Sequence, residues 1–153
     1  MGSFPVRVAI GSDHGGVHLR SEVARVLRER GVDVLDLGAQ TTESSDYPDF
    51  AVKVCAEVVA GKANLGVLIC GTGIGMSIAA NKLYGIRAAL CHSEFEAKMA
   101  RAHNDANVLC LGERVLGPGV AASVLTAFLE GFFEGGRHTG RVEKVKALDE
   151  QRK

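Results

Sequence analysis

The fold is decided by one stretch of the chain, VLICGTGIGMSIAANK, which spans residues 67–82. Its first three residues are a short apolar run, typical of a parallel strand that is covered on both faces. Gly71, Gly73 and Gly75 then let the backbone turn sharply and bring its N–H groups close to a ligand. Residues 77–82 have the propensity to continue as a helix. We therefore predict a buried strand, a glycine loop and a helix, in that order.

Two side chains of this stretch carry chemistry. Cys70 directly precedes the glycines, and Thr72 lies between two of them. A helix N-terminus beneath a glycine loop attracts anions, and such an electropositive place favours the thiolate form of a cysteine. The stretch thus predicts a base or nucleophile at Cys70, a hydroxyl at Thr72 and N–H groups that can hold an oxyanion. A dinucleotide site is disfavoured, because Met76 occupies the last glycine position of the GxGxxG pattern.

Working outward, apolar segments alternate with helical patterns along the chain. Strands are predicted at residues 6–10, 32–37, 65–69, 86–90 and 108–111. The helices between them include one that opens with a capping box of Ser93 and Glu96 and ends near residue 102. This alternation predicts an α/β fold: a three-layer αβα sandwich around a five-stranded parallel sheet, Rossmann-like or flavodoxin-like, with an extra C-terminal helix at about residues 142–152. We favour the flavodoxin-like strand order two-one-three-four-five.

Composition places the chain among ordinary globular proteins. Its 153 residues are 46% hydrophobic and 24% charged, and we expect residues 1–153 to form a single domain. Lysine plus arginine equals aspartate plus glutamate at 18 each, so no basic field predicts binding to nucleic acid. No apolar run approaches the ~20 residues that cross a bilayer. Residues 1–5 lack the pattern of a signal peptide, so we expect a cytoplasmic protein without membrane contact.

The other three cysteines, Cys55, Cys91 and Cys110, lie in apolar runs. No two of the four cysteines have the C-x-x-C spacing of zinc or redox motifs, so we predict neither a metal nor a cofactor. We expect these three side chains to be small, buried residues of the core.

Several polar residues follow the predicted strands, where ligands bind in such sheets. Asp13 and His14 follow the first strand on a loop flanked by glycines, which favours a functional role over the alternative of an N-cap beside a surface histidine. His103 has two equally weighted interpretations, catalysis and a favourable contact with a helix C-terminus. His92 is at least as well explained by a capping or surface role, and Tyr47 can simply pack its turn.

A basic run near the end of the chain, Arg137, His138 and Arg141, follows two glycines. Charge runs are usually solvated, but the glycines turn this one away from the preceding helix, and arginine side chains match the geometry of phosphate. Arg114, at the end of a predicted strand, can join it. Together these residues predict a phosphorylated ligand.

The candidate groups suit proton transfer next to a carbonyl. Moving a carbonyl between C1 and C2 of a sugar phosphate needs a base that shuttles one proton and donors for the enediolate oxygens. Histidine suits the opening of the sugar ring. A cysteine hydrolase or acyl transferase would use similar residues, and a non-catalytic sugar-phosphate sensor would use the same fold, so both remain alternatives.

Five motifs resemble those of the RpiB/LacAB sugar-phosphate isomerase family, which includes the type B ribose-5-phosphate isomerases. They are GSDHGG at residues 11–16, SDYP at 45–48, CGTGIG at 70–75, RAHNDANV at 101–108 and GGRH at 135–138. The resemblance covers residues 6 to about 152. It implies a metal-free homomeric isomerase of ribose 5-phosphate and ribulose 5-phosphate in the pentose phosphate pathway. Allose 6-phosphate or galactose 6-phosphate are the alternative substrates.

The same resemblance implies catalytic roles. Cys70 would be the base that carries the proton between C2 and C1, where some relatives have glutamate. Thr72 and the N–H groups of the loop, those of Gly71, Gly73 and Gly75 among them, would stabilise the enediolate. His103 would assist ring opening, and Asp13 would hold a ring or hydroxyl oxygen. The resemblance assigns no role to His92.

The resemblance also implies the binding residues and the assembly. Asn104 would bind the substrate. The phosphate would be surrounded by a basic set: His14, Arg114, Arg137 and Arg141, with His138 and Tyr47 close by. In this family the site lies between two subunits, which implies a homodimer or a pair of dimers. His103, Asn104 and Arg114 would then come from the partner of the chain that supplies Cys70.

Overall fold

The core of the molecule is a sheet of five parallel strands. The structure, a computed structural model, describes Pro5 and residues 7–152. The strands are β1 Arg7–Ser12, β2 Asp33–Asp36, β3 Leu65–Cys70, β4 Ala88–Leu90 and β5 Val108–Gly112. The predicted parallel sheet is confirmed, and each strand begins and ends within two residues of its expected bounds. The expectations for residues 1–4 and for Val6 lie outside the described residues.

The predicted strand order is wrong at one side of the sheet. The observed order is β2-β1-β3-β5-β4, so β5 lies between β3 and β4 instead of at the edge. All five residues of β5 are buried, whereas the three residues of β4 are each only partly buried. A strand that is covered on both faces belongs inside the sheet, and a short, partly exposed strand suits its edge.

Helices cover both faces of the sheet. They are α1 Val17–Glu29, α2 Tyr47–Val59, α3 Ile74–Ala80, α4 Glu94–Asn104, α5 Pro118–Glu130 and α6 Thr139–Ala147. One apolar cluster packs α1, α4 and α5 against the sheet, and a second cluster packs α2 and α3 against the opposite face. The three-layer sandwich is therefore confirmed. None of the helices within residues 7–152 is long and apolar enough to span a bilayer.

The C-terminal helix is present but begins earlier than predicted. It starts at Thr139 and is followed by a 3₁₀ helix, Leu148–Arg152, so Arg141 lies in the first turn of α6 instead of in a loop. The carboxylate of Asp149 accepts the N–H of Gly85 and ties this end of the chain to the loop before β4. These contacts place α6 beside the beginning of β4.

The alternation of side chains along β3 decides where Cys70 points. Val67 and Ile69 belong to the cluster under α1, α4 and α5, whereas Leu68 and Cys70 belong to the cluster under α2 and α3. Successive residues of a strand face opposite sides of the sheet. The Cys70 thiol therefore lies at the carboxyl end of β3, on the side of α2 and α3.

Candidate active site

The site residues expected from the sequence form two groups within one chain. The first group, here called the thiol cluster, lies at the carboxyl ends of β1, β3 and β5 and at the start of α2. Its members are Asp13, His14, Tyr47, Cys70, Thr72 and Arg114, together with the glycine loop of residues 71–75. The second, the basic cluster, lines a cavity of about 480 Å³ at the end of α4 and the start of α6: His103, Asn104, Arg137, His138 and Arg141.

Cys70 is the last residue of β3, and its sulfur is held by the loop that follows. The N–H of Gly73 donates a hydrogen bond of 3.1 Å to Sγ of Cys70, which is almost fully buried. Gly73 has φ +79°, and a Cβ there would lie 2.9 Å from the carbonyl carbon of Leu111. Only glycine combines this backbone conformation with this close approach. The loop therefore fixes a backbone donor against the thiol.

The rest of the loop leaves further donors available. The hydroxyl oxygen of Thr72 accepts the N–H of Ile74, the first residue of α3, at 3.2 Å, and this leaves the hydroxyl proton free to be donated. N–H groups in the first turn of a helix have no carbonyl partner within the helix, and those of Gly75 and Met76 occupy this position. The thiol, the hydroxyl and these amides can act on one small ligand.

Arg114 belongs to the thiol cluster of its own chain. Its N–H donates to the carbonyl of Gly71 at 3.0 Å, and the N–H of Glu113 donates to the carbonyl of Cys70 at 3.0 Å. A Cβ at Gly71 would lie 3.2 Å from the Arg114 guanidinium. The expectation that Arg114 comes from the partner of the chain that supplies Cys70 is therefore wrong. Its physical reason is that β5 pairs with β3, so the residues after both strands meet.

Asp13 and His14 lie beside Cys70, because β1 pairs with β3. Asp13 is buried, and its Oδ1 accepts the N–H of Gly15 at 2.9 Å, so the alternative role as an N-cap is confirmed. Only one carboxylate oxygen is used in this bond. A buried carboxylate with a second oxygen to spare can still accept a hydrogen bond from a ligand hydroxyl.

The ring of His14 is oriented by Ser45 through a reciprocal pair of hydrogen bonds. The N–H of His14 donates to Ser45 Oγ at 3.1 Å, and the N–H of Ser45 donates to Nδ1 of His14 at 3.1 Å. In the neutral ring, an Nδ1 that accepts leaves the proton on Nε2. His14 therefore presents an Nε2–H donor.

Tyr47 has the packing role that the sequence left open. It is the first residue of α2, and a Cβ at Gly75 would lie 2.7 Å from its ring carbon Cζ. The ring thus covers the glycine loop directly, while 39% of the residue stays exposed. Packing on the loop and contact with a ligand are compatible for this side chain.

His103 and Asn104 lie in the last turn of α4, not in the loop that was predicted to hold them. The helix continues because Asp105 takes the left-handed conformation, with φ +48°, and its N–H donates to the carbonyl of Ala100. Such a cap is usually glycine or asparagine. The position at a helix C-terminus, which was the second interpretation of His103, is thus confirmed alongside its place in the cavity.

A histidine pair is the centre of the basic cluster. The rings of His103 and His138 stack with 4.1 Å between their centroids and 14° between their planes. Gly135 and Gly136, with φ +67° and +54°, turn the chain after α5 so that His138 returns to α4. Burial, and then the positive charge of Arg137, lower the pKa of His138 below its ordinary value.

The two clusters lie at opposite ends of the strands, the thiol cluster at the carboxyl ends and the basic cluster at the amino ends. Cys70 pairs with Gly112, the last residue of β5. His103 instead precedes β5, which begins at Val108. At ~3.3 Å per residue, the length of β5 alone separates its two ends by roughly 13 Å. A single chain therefore does not bring Cys70 and His103 to one small ligand.

Three residues that support the thiol cluster were missed in the sequence. They are Ser45, which orients His14, and the two residues Arg20 and Glu113. Arg20 is buried, and its guanidinium donates to Ser12 Oγ and to the carbonyl of Ala39. Glu113 accepts the N–H of Leu19 at 2.6 Å, in the first turn of α1. Each joins different structural elements, so its partner could not be predicted from the sequence around it.

The remaining candidates have structural roles. His92 is exposed, and its N–H donates to the carboxylate of Glu96 in the predicted capping box. Cys55, Cys91 and Cys110 are buried in the core, as expected. Burial raises the pKa of the Cys55 and Cys91 thiols to about 12, so both remain protonated at neutral pH.

Comparison with known proteins shows the family to which the chain is related. A family model described as Ribose/Galactose Isomerase matches residues 8–145. The chain is 49% identical to a putative sugar phosphate isomerase of Bacillus subtilis, over 95% of this chain and 99% of that protein. It is 46% identical to ribose-5-phosphate isomerase B of Escherichia coli, over 95% and 98%. The solved structure of Clostridium thermocellum ribose-5-phosphate isomerase B superposes with a TM-score of 0.94 at 48% identity, covering 96% of this chain and 99% of that one.

Proposed function

The chain belongs to the ribose/galactose isomerase family, and from that premise we propose that it interconverts D-ribose 5-phosphate and D-ribulose 5-phosphate. The observation that carries the proposal is the position of Cys70. Its sulfur lies at the end of a buried strand, against the N–H of Gly73 and beside the first-turn amides of α3. A base and a set of donors for an oxyanion are the groups that an aldose–ketose isomerisation needs.

In the proposed reaction, Cys70 carries one proton between two carbons. The thiolate removes the proton from C2 of the open-chain aldose, the C–H electrons form the C1–C2 double bond, and negative charge moves to O1. The thiol then returns the proton to C1, while the hydroxyl proton passes from O2 to O1 and leaves a carbonyl at C2. The hydroxyl of Thr72 and the loop amides hold the enediolate oxygens during this exchange.

Ring opening needs a second set of groups, which we assign to the partner subunit. A proton must leave the anomeric hydroxyl and another must reach the ring oxygen, and His103 is suited to both transfers. Asp13 holds a hydroxyl or ring oxygen, and Asn104 binds the substrate. Arg137 and Arg141 clamp the phosphate, together with Arg114 and His14 of the chain that supplies Cys70.

The separation of the two clusters supports this shared site. Because the roughly 13 Å length of β5 lies between the thiol cluster and the basic cluster, the basic cluster must come from a second copy to meet Cys70. The surface beside the thiol cluster suits such a copy, since Ile74 and Ile78 of α3 are each more than half exposed, as is Tyr84 beyond its end. Exposed apolar patches of this kind mark interaction sites. We therefore propose a homodimer as the smallest active unit.

A cysteine hydrolase is the weaker alternative. It would need a histidine hydrogen-bonded to the nucleophilic sulfur. Within residues 7–152, the sulfur of Cys70 accepts from the Gly73 amide and from no histidine, and the Nδ1 of His14 is occupied by Ser45. A thiol held by a backbone donor suits a proton carrier better than a covalent nucleophile.

Turnover of ribose 5-phosphate tests the proposed function. The full chain, treated with a chelator, is incubated with ribose 5-phosphate, and ribulose 5-phosphate is measured; allose 6-phosphate and galactose 6-phosphate are assayed in parallel. Conversion of the five-carbon sugar with the highest kcat/KM supports the proposal. Preference for a six-carbon sugar phosphate would support the proposed isomerisation but with a different substrate. Binding without turnover of any of the three would indicate a sensor and overturn it.

The orientation of His14 leads to a prediction about phosphate binding. We expect His14→Gln to keep KM within about threefold, because the glutamine amide can place its nitrogen where Nε2 donates. His14→Asn should raise KM at least about tenfold, because a hydrogen bond to a charged group such as phosphate contributes about 1.5–3 kcal/mol and the shorter amide reaches only the position of Nδ1. Steady-state kinetics of both variants provide the measurement. Equal effects of the two substitutions would contradict a donor role for Nε2.

A further inference from the structure

We propose that His103, Glu134 and His138 form a binding site for a divalent transition-metal cation such as Zn²⁺, and that occupation of this site inhibits the enzyme. Each of the three residues offers one ligand atom, and these atoms all lie within 4.8 Å of one another. Two imidazoles and a carboxylate are a donor set that zinc and its neighbours in the first transition row prefer. No part of the proposed isomerisation uses Glu134.

The backbone holds the three residues together without a metal. The N–H of Glu134 donates to the carbonyl of Ala102 at 3.1 Å, which fixes the loop after α5 to the last turn of α4. The adjacent glycines, Gly135 and Gly136, then turn the chain so that His138 stacks on His103. The positions of the ligands therefore follow from the fold and need not be created by the cation.

His138 is prepared to act as a ligand. The residue is 5% exposed, and its Nε2 has no hydrogen-bond partner among the described residues. A buried nitrogen without a partner costs about 1–3 kcal/mol, and a bound cation or its water would satisfy it.

The side chains must move slightly to close on a cation. Ligand atoms of a tetrahedral zinc site are roughly 3.3 Å apart, as follows from Zn–N bonds of about 2.0–2.1 Å. Glu134 is exposed and can turn freely, and the imidazoles can rotate about χ2, where the preferences are broad. Movements of this size lie within the range of ordinary side-chain adjustment.

The surrounding charges limit the affinity. Arg137 and Arg141 both place positive charge near His138, whereas Glu134 is the carboxylate that opposes them. One carboxylate beside two guanidinium groups only partly offsets the repulsion of a divalent cation. We therefore expect binding that is reversible by chelators, not the permanent occupation of a structural zinc site.

Inhibition is expected because the cation would bind to His103, which the proposed ring opening of the substrate also needs. Under the proposed function, His103 moves protons during ring opening, and a nitrogen that coordinates a metal cannot carry a proton. This consequence rests on the proposed function, whereas the binding of the cation does not. A test of binding therefore separates the two.

Cobalt titration of the full chain tests the site directly. Co²⁺ reports nitrogen and oxygen ligands by its visible d–d absorption, and thiolate ligands by a separate charge-transfer band in the near ultraviolet. We expect one Co²⁺ per chain without the thiolate band. Glu134→Gln should bind at least about tenfold more weakly, a loss that even second-shell changes can produce at metal sites. Glu94→Gln, the same change on the exposed first turn of α4, should bind like the unmodified chain.

Activity supplies the second readout. Zn²⁺ should inhibit the unmodified enzyme reversibly, and the inhibition constant of Glu134→Gln should rise in step with its weakened Co²⁺ binding, while its rate without metal stays unchanged. Equal Co²⁺ affinities of the unmodified chain and Glu134→Gln would overturn the proposal. So would a thiolate band, which would assign the cation to Cys70, or the absence of binding at submillimolar Co²⁺.

Discussion

Cys70→Ala is expected to lower kcat by about 10²–10⁴-fold, the range typical of a lost general acid–base group. The alanine side chain has no group that can take the proton from C2. The fold should survive, because Cys70 is a small side chain at the end of β3 and the turn depends on the backbone of Gly73. Binding of a sugar phosphate should also survive, because the residues proposed to bind the phosphate are arginines and His14. Steady-state kinetics and calorimetric binding measure the two effects separately.

Two further variants show whether the loss is specific to the thiol of Cys70. Cys70→Ser keeps the volume but replaces the thiol with a hydroxyl that does not ionise near neutral pH, so it should be as inactive as the alanine variant. Cys91→Ala removes a thiol on the opposite face of the sheet, whose pKa is raised to about 12, and should keep full kcat. If Cys70→Ala retained kcat within about tenfold, the base would be elsewhere.

Local signals in the sequence predicted most elements of the fold. The apolar run that ends at Cys70, followed by alternating glycines, is folded as the expected strand, loop and helix. The capping box also formed, since Ser93 Oγ accepts the N–H of Glu96 at 3.1 Å. Interactions of this kind join residues a few positions apart, so they can be recognised in a single sequence.

Long-range pairing could not be predicted in the same way. The order of β4 and β5 depends on which strand pairs with β3, and this choice is made by burial on both faces of β5, not by any local pattern. The interactions of the buried Arg20 could not be predicted either, because its partners Ser12 and Ala39 lie in β1 and in the loop after β2, outside its own helix. Such interactions are visible only when the chain is folded.

The arrangement of the candidate site was only partly predictable. The residues of the thiol cluster share the carboxyl ends of the strands because each follows a strand or, like Tyr47, begins α2. The order of these residues along the sequence already contained this information. Arg114 follows β5 and so belongs with Cys70, whereas His103 precedes β5 and must lie at the opposite end of the strands. The extension of α4 through Asn104 was not predictable, because it depends on Asp105 adopting positive φ.

Restoration of activity by mixing two inactive variants follows from the proposed shared site. We expect His103→Ala to be inactive as a homodimer because ring opening fails, and Cys70→Ala to be inactive because proton transfer fails. In a mixed dimer, however, one of the two sites receives Cys70 from the first chain and His103 from the second. Random reassortment makes about half of the dimers mixed, with one intact site each, so activity should return to about a quarter of the unmodified level.

The most direct test of the shared site compares this pair of variants with a second pair. Cys70→Ala is exchanged with His103→Ala in one mixture and with Arg114→Ala in the other, and mass spectrometry verifies that mixed dimers form. Because Arg114 lies in the same cluster as Cys70, every site of the second mixture carries a defect. The account predicts recovery in the first mixture and none in the second. No recovery in either mixture, or equal recovery in both, would contradict a site built from the thiol cluster of one chain and the basic cluster of its partner.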